Sequence, residues 1–205
     1  MPAACEERLG YGTITLDHKR IITTDNEPKI MPLHSLKVLD LSTLLPGPYA
    51  TMMLADMGAE ILRVEATARP ELTRTMAPLN ESGTSYNHTY LNRSKRSIGL
   101  NLKQPEAVEV VKRLIADYDI LVEQFRPGVM DRLGIGYDTL KAINPRLIYC
   151  SITGFGQTGP YANRPGHDLN YLAIAGVSSY TGRDSQGPLP LGIQVADVAG
   201  GSLHA

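Results

Sequence analysis

Three ionisable residues in the last quarter of this 205-residue chain have the types that move protons or carry acyl groups: His167, Asp168 and Asp197. Histidine titrates near neutrality, so His167 can serve as general acid or base. Asp168 can cap the helix suggested by LNYLAIAG, or act as a nucleophile. Taken alone, a His-Asp pair is more simply a capping carboxylate beside a partly buried imidazole. Asp197 stands in Val195-Ala196-Asp197-Val198-Ala199, a carboxylate in an apolar segment that runs into Gly200-Gly201. Buried carboxylates are rare unless paired or functional, and the alternative for Asp197 is an N-cap ahead of VAGGS. Upstream, GFGQTGP (residues 154–160) holds three glycines and a proline in seven residues, which specifies a particular loop geometry.

A second set of residues suits a phosphate-rich ligand. Arg93, Lys95 and Arg96 place three cations within four positions, and Arg126 precedes Pro127-Gly128. Guanidinium and ammonium groups recognise phosphate, although charge runs are also common on solvated loops. The loop 44–49, with Pro46 and Gly47, has a glycine that lets backbone approach a ligand and a following helix with free N–H groups. It is neither a GxGxxG nor a P-loop. Taken alone, a plain strand-to-helix turn is the simpler reading of it.

These residues need elements to hold them. LKVLDL (36–41) is a buried-strand pattern, YATMMLADM (49–57) is rich in helix formers and stops at Gly58, and EILRVE (60–65) is a second strand. SIGLNL (97–102), ILVE (120–123) and LIYCSIT (147–153) predict further strands. Helices are predicted after Pro105, with Ala107, Val111, Leu114 and Ile115 on one face, and over 137–143. The alternation predicts an α/β fold, a Rossmann-like, mostly parallel sheet flanked by helices. Ligands in such sheets bind in the loops at the carboxyl ends of the strands. Residues 66–95 are polar and irregular. Residues 1–30 are set apart as a weakly ordered extension, with GTITLDHKRIITT as a hairpin or loose strand pair, and 31–205 form the domain.

Composition narrows the classes. The net charge is −1, with 20 Lys+Arg against 21 Asp+Glu, and 42% of residues are hydrophobic. Near-neutrality argues against nucleic-acid binding through phosphate neutralisation. Two cysteines make no disulfide scaffold or structural zinc site. No run of about 18 apolar residues crosses a membrane. MPAACEERLGYG lacks the apolar core of a signal peptide, so a cytoplasmic location is expected.

From Met31 to Ala205 the chain resembles the N-terminal half of the family III CoA-transferase (CaiB/BaiF) superfamily. The motifs are LKVLDLS, LPGPYATMMLADMGAEILRVE, NRSKRSIGLNLK, ILVEQFRPGVMDRLGIGY, NPRLIYCSITGFGQTGPYANRPGHDLNYLAIAG and ADVAGGS. The resemblance implies a CoA thioester as substrate, no prosthetic group, no metal, and an interlocked homodimer when full length. In the α-methylacyl-CoA racemase branch, whose sequence is GHDINYLA-like here, the catalytic histidine and aspartate correspond to His167 and Asp197. In the CoA-transferase branch the nucleophilic aspartate corresponds to Asp168. GHDLNYLAIAG with ADVAGGS leans toward the racemase; the long 66–90 segment is more transferase-like. An inactive CoA-binding fragment is the third reading. CoA is expected over Pro46, Gly47, Arg93, Lys95, Arg96 and Arg126. After Glu65, Ala66-Thr67-Ala68-Arg69 stands where a basic residue more often follows directly, with Arg69 as its substitute.

Overall fold

The computed structural model describes residues 31–205 together with the backbone of three short strands before them, β1 (Thr15–Asp17), β2 (Arg20–Ile22) and β3 (Pro28–Ile30). These pair antiparallel in the order β1-β2-β3, so the segment expected as a hairpin contains one. Cys5, the other positions of 1–30, and the expectation of weak order there lie outside the described residues.

The domain is a five-stranded sheet. Its strands are β4 (Lys37–Asp40), β5 (Glu60–Ala66), β6 (Lys95–Leu100), β7 (Ile120–Glu123) and β8 (Ile148–Ser151), in the order β6-β5-β4-β7-β8. All four pairings are parallel. Successive strand residues face opposite sides, and both sides are covered. Val38, Ile61 and Val122 pack with Ala55 of α1 (Pro46–Asp56) and with Ala59. Leu39, Val64 and Leu121 pack with Val111 and Ile115 of α3 (Pro105–Ile115) and Leu140 of α5 (Tyr137–Ile143).

Local chemistry sets the boundaries. Pro46 supplies the first residue of α1, where its missing N–H costs nothing. Gly58 stops the chain beyond it at φ +101°, and its missing Cβ leaves room for the Met31 side chain. The helix therefore begins three residues earlier than the composition of 49–57 suggests. β6 is shifted two residues toward the N-terminus from 97–102. Asn101 ends it by turning the chain, its carbonyl accepting from Gln104 N at 2.8 Å and its side chain from Lys103 N at 3.2 Å. The irregular 66–95 stretch holds a 3-10 turn (Leu72–Arg74) and α2 (Tyr86–Leu91). After β8 come α6 (Asp168–Ile174), a 3-10 turn (Val177–Tyr180) and a π-helical segment (Ala196–Ser202); α4 (Val129–Arg132) follows β7. No helix among the described residues is long and apolar enough to cross a membrane.

Candidate active site

The chain runs from β4 outward to β5 and β6, then returns to place β7 on the other side of β4. The loops after β4 and β7 therefore diverge from a topological switch point, where open α/β sheets form their crevice. The loop after β4 is tightly tied. Leu44 adopts φ +60°, a costly backbone for a bulky residue. Its N–H donates to Glu71 Oε1 at 2.8 Å. Gly47 N–H donates to Gln124 Oε1, from the β7 loop, at 3.0 Å. A Cβ on Gly47 would overlap the Ser42 side chain. The absence of a Cβ at Gly47 thus makes room for the Ser42 side chain. Pro46 meets Gly201, where an added Cβ would lie 2.8 Å from Pro46 Cβ.

The structure does not bring the basic residues 93–96 together as one patch. Arg93 donates to Asp56 through Nε at 3.1 Å and lies over the Tyr90 ring, 4.5 Å from its centroid. Arg96 is exposed and pairs with Glu60. Lys95 alternates to the opposite side and is only 1% exposed. Its ammonium donates to Pro48 O and Thr51 Oγ1, both at 2.8 Å, and to Asn92 Oδ1 at 3.2 Å, with Asp40 Oδ2 at 3.5 Å. Burial pushes its pKa down to about 8 against the pull of Asp40. Asp40, fully buried, also accepts from Ser42 N at 2.9 Å, from the Ser42 hydroxyl, and from Thr51 Oγ1 at 2.6 Å. Arg126 instead lies exposed in a cleft of about 240 Å³ with Glu123, Tyr149, Ser151 and Gln157. Arg69 is exposed past the end of β5.

Sequence reasoning missed the buried charges beneath the first loop. Arg63, 2% exposed on β5, pairs with Glu71 and stands 3.8 Å from Glu65. Burial lowers its pKa. Glu65 in turn accepts from Arg74 at 2.8 Å and Ser97 Oγ at 2.5 Å; burial raises its carboxyl, but these donors with Arg63 outweigh it and the net shift is downward. His88 sits among them, its Nδ1 3.2 Å from Thr73 Oγ1, and burial followed by the Arg74 and Arg63 charges pushes it down to about 4. An arginine inside the apolar run EILRVE was the available signal, since buried cations require partners.

His167, Asp168 and Asp197 do converge. His167 is exposed and precedes α6, where its N–H donates to Asn170 Oδ1 at 2.9 Å. Asp168 is 7% exposed. Its Oδ1 accepts from Ala196 N at 2.7 Å and Asp197 N at 3.1 Å. The carboxylate therefore caps the segment carrying Asp197, rather than its own helix, and satisfies N–H groups that helix geometry leaves free. Asp197 lies inside that segment instead of capping it. Its half-buried carboxyl has a raised pKa, first through burial and then through the Asp168 charge, with His167 acting in the opposite direction. Among the described residues no group of three His, Cys, Asp or Glu is placed to hold a metal ion.

The family model for CoA-transferase family III matches residues 33–205. Human alpha-methylacyl-CoA racemase is 44% identical over 174 residues, covering 84% of this chain and 41% of its own. Human succinyl-CoA:glutarate CoA-transferase is 41% identical over 172 residues, covering 84% of this chain and 39% of its own. The crystal structure of a CAIB/BAIF family protein from Brucella suis superposes with a TM-score of 0.79 at 39% identity, over 85% of this chain and 48% of that one. The chain spans less than half the length of these relatives. With its parallel sheet, its clamped first loop and its His-Asp segment, the chain belongs to CoA-transferase family III.

Proposed function

We propose that this chain carries the acyl-CoA-processing site of an α-methylacyl-CoA racemase or epimerase working by 1,1-proton transfer. His167 takes the α-proton of the thioester on one face, and Asp197 delivers a proton to the other. The C–H bond broken at His167 is replaced by the C–H bond formed from Asp197, so the α-carbon inverts without net gain or loss. The observation that carries this reading is that Asp168, next in sequence to the exposed His167, accepts from the amides of Ala196 and Asp197 and so ties the imidazole's segment to the half-buried Asp197 carboxyl, whose pKa burial raises. Two titratable groups held in contrasting environments divide acid and base roles between them. Asp168, bound to the amides of Ala196 and Asp197, positions the acid. CoA phosphates are proposed to meet Arg126, the exposed guanidinium in the cleft at the ends of β7 and β8, and the first loop at Pro46 and Gly47, with Arg93 and Arg96 as further proposed contacts. Lys95 holds that loop from beneath, through Pro48 O and Thr51 Oγ1. The whole protein is proposed to act as a cytoplasmic homodimer.

The second reading is CoA transfer between carboxylic acids, with Asp168 as nucleophile. The 41% identity to human succinyl-CoA:glutarate CoA-transferase favours it. One assay separates the two. Exchange of the α-proton of a 2-methylacyl-CoA in deuterated water, without acceptor acid, supports the racemase. Acceptor-dependent transfer, with hydroxylamine trapping an acyl group on Asp168, supports the transferase. CoA binding with neither activity supports a non-catalytic fragment. For the racemase, the rate in the direction where Asp197 donates falls as pH rises through its raised pKa and the acid proton is lost. Asp197→Asn removes that limb of the profile; a limb that persists refutes the assignment.

A further inference from the structure

The ring of Tyr171, one helical turn after His167, lies between the two ends of the glycine-rich loop. A Cβ on Gly154 would overlap the phenol, and one on Gly166 would come within 2.6 Å of Cε1. The phenol hydroxyl donates to Gly166 O at 2.6 Å. Phe155 packs its edge on the ring with centroids 5.1 Å apart, and its other neighbour Tyr161 carries Arg164 at 4.5 Å over its face. The chain from 154 to 166 is thus pinched at both ends on one side chain, which limits the conformations open to it.

We infer that Tyr171 is a positioning residue that fixes the Gly166–His167 peptide and, through it, the imidazole of His167 and the carboxyl of Asp168. The inference rests on the proposed roles of those two groups. Gly166 O is the acceptor on the peptide that leads into His167, so its orientation sets the direction in which His167 leaves the loop. Both glycines are required for the ring to enter. Burial and then the Asp197 charge raise the phenol pKa, which keeps the hydroxyl protonated and able to donate to Gly166 O.

The test uses the full chain and three readouts: kcat and KM for α-proton exchange of a 2-methylacyl-CoA, amide hydrogen exchange of a peptide covering 154–170, and the urea midpoint. Tyr171→Phe keeps the ring and removes only the bond to Gly166. It is expected to lower kcat tenfold or more with KM within twofold, to speed amide exchange in the peptide severalfold, and to leave the midpoint near wild type. Gly154→Ala, which displaces the ring but retains the hydroxyl, is expected to change kcat and amide exchange in the same way. A Tyr171→Phe chain with a lowered midpoint but unchanged kcat per folded molecule overturns the inference, because the ring bond is then structural alone. Unchanged amide exchange overturns it as well. If the wild-type chain exchanges no α-proton, the proposed function fails, and the amide readout still decides whether Tyr171 holds the loop.

Discussion

Lys95 provides the sharpest separation between a ligand contact and an internal strut. Replacing it with methionine keeps the stem and removes the ammonium. Asp40, with no exposed surface, then loses the only cation at its carboxylate among the described ion pairs. At the 3.5 Å separation of Nζ and Oδ2, the gross attraction is about 5 kcal/mol for an effective dielectric of about 20. Desolvation of both groups offsets much of it, but removing one partner leaves the other charge stranded, at about 3–5 kcal/mol. For a chain of this size that is a fall in melting temperature of roughly 10 °C. Urea denaturation of Lys95→Met, Asp40→Asn and the double variant forms a cycle. A coupling energy of about 1 kcal/mol or more identifies an internal pair. CoA titration at two salt concentrations, on folded protein, supplies the contrast. Stability equal to wild type with weakened, less salt-sensitive CoA binding would refute the strut and restore Lys95 as a phosphate contact.

Two further perturbations follow from the same region. His88 has a folded pKa of about 4 against an ordinary 6.5, so the unfolded chain binds the proton first. Stability is intact above pH 6.5 and falls toward pH 4, by up to about 3 kcal/mol; His88→Gln should flatten the urea midpoint across that window, and an unaltered slope shows that other groups set the acid sensitivity. Gly47→Ala drives a methyl into Ser42, an overpacking of about 1–3 kcal/mol. Its thermal unfolding should drop by several degrees and recover in Ser42→Gly/Gly47→Ala, whereas an unperturbed single variant means the loop has room.

The alternation of strands and helices was legible because each element has its own period: Val38 and Leu39 face opposite sides of the sheet, and Ala107, Val111 and Ile115 share one face of α3. That His167, Asp168 and Asp197 belong together was legible only through the family motifs GHDLNYLAIAG and ADVAGGS, since residue type alone left each of them a capping or partly buried group. Which helix Asp168 caps was not, because its partners are Ala196 and Asp197, 28 and 29 positions away. The partners of the cations were hidden for a related reason. Arg93, Lys95 and Arg96 look alike in a string, yet each is claimed by a different carboxylate brought from elsewhere: Asp56, Asp40 and Glu60. Likewise a glycine announces that space is needed beside it and is silent about what fills it. At Gly47 the occupant is Ser42.

The ties on the first loop also order events in time. Gly47 waits for Gln124, 77 positions later; Asp40 waits for Lys95, 55 positions later; and Lys37 N pairs with Asp119 Oδ2 across 82. Contacts of such separation close slowly, since chain entropy must be surrendered before they return any energy. A growing chain that has emerged only through β6 holds β4, β5 and β6 side by side but lacks the acceptor for Gly47. The crevice thus closes only after three strands of the sheet are made, and until β7 slots in beside β4 the edge of β4 stays open to other strands.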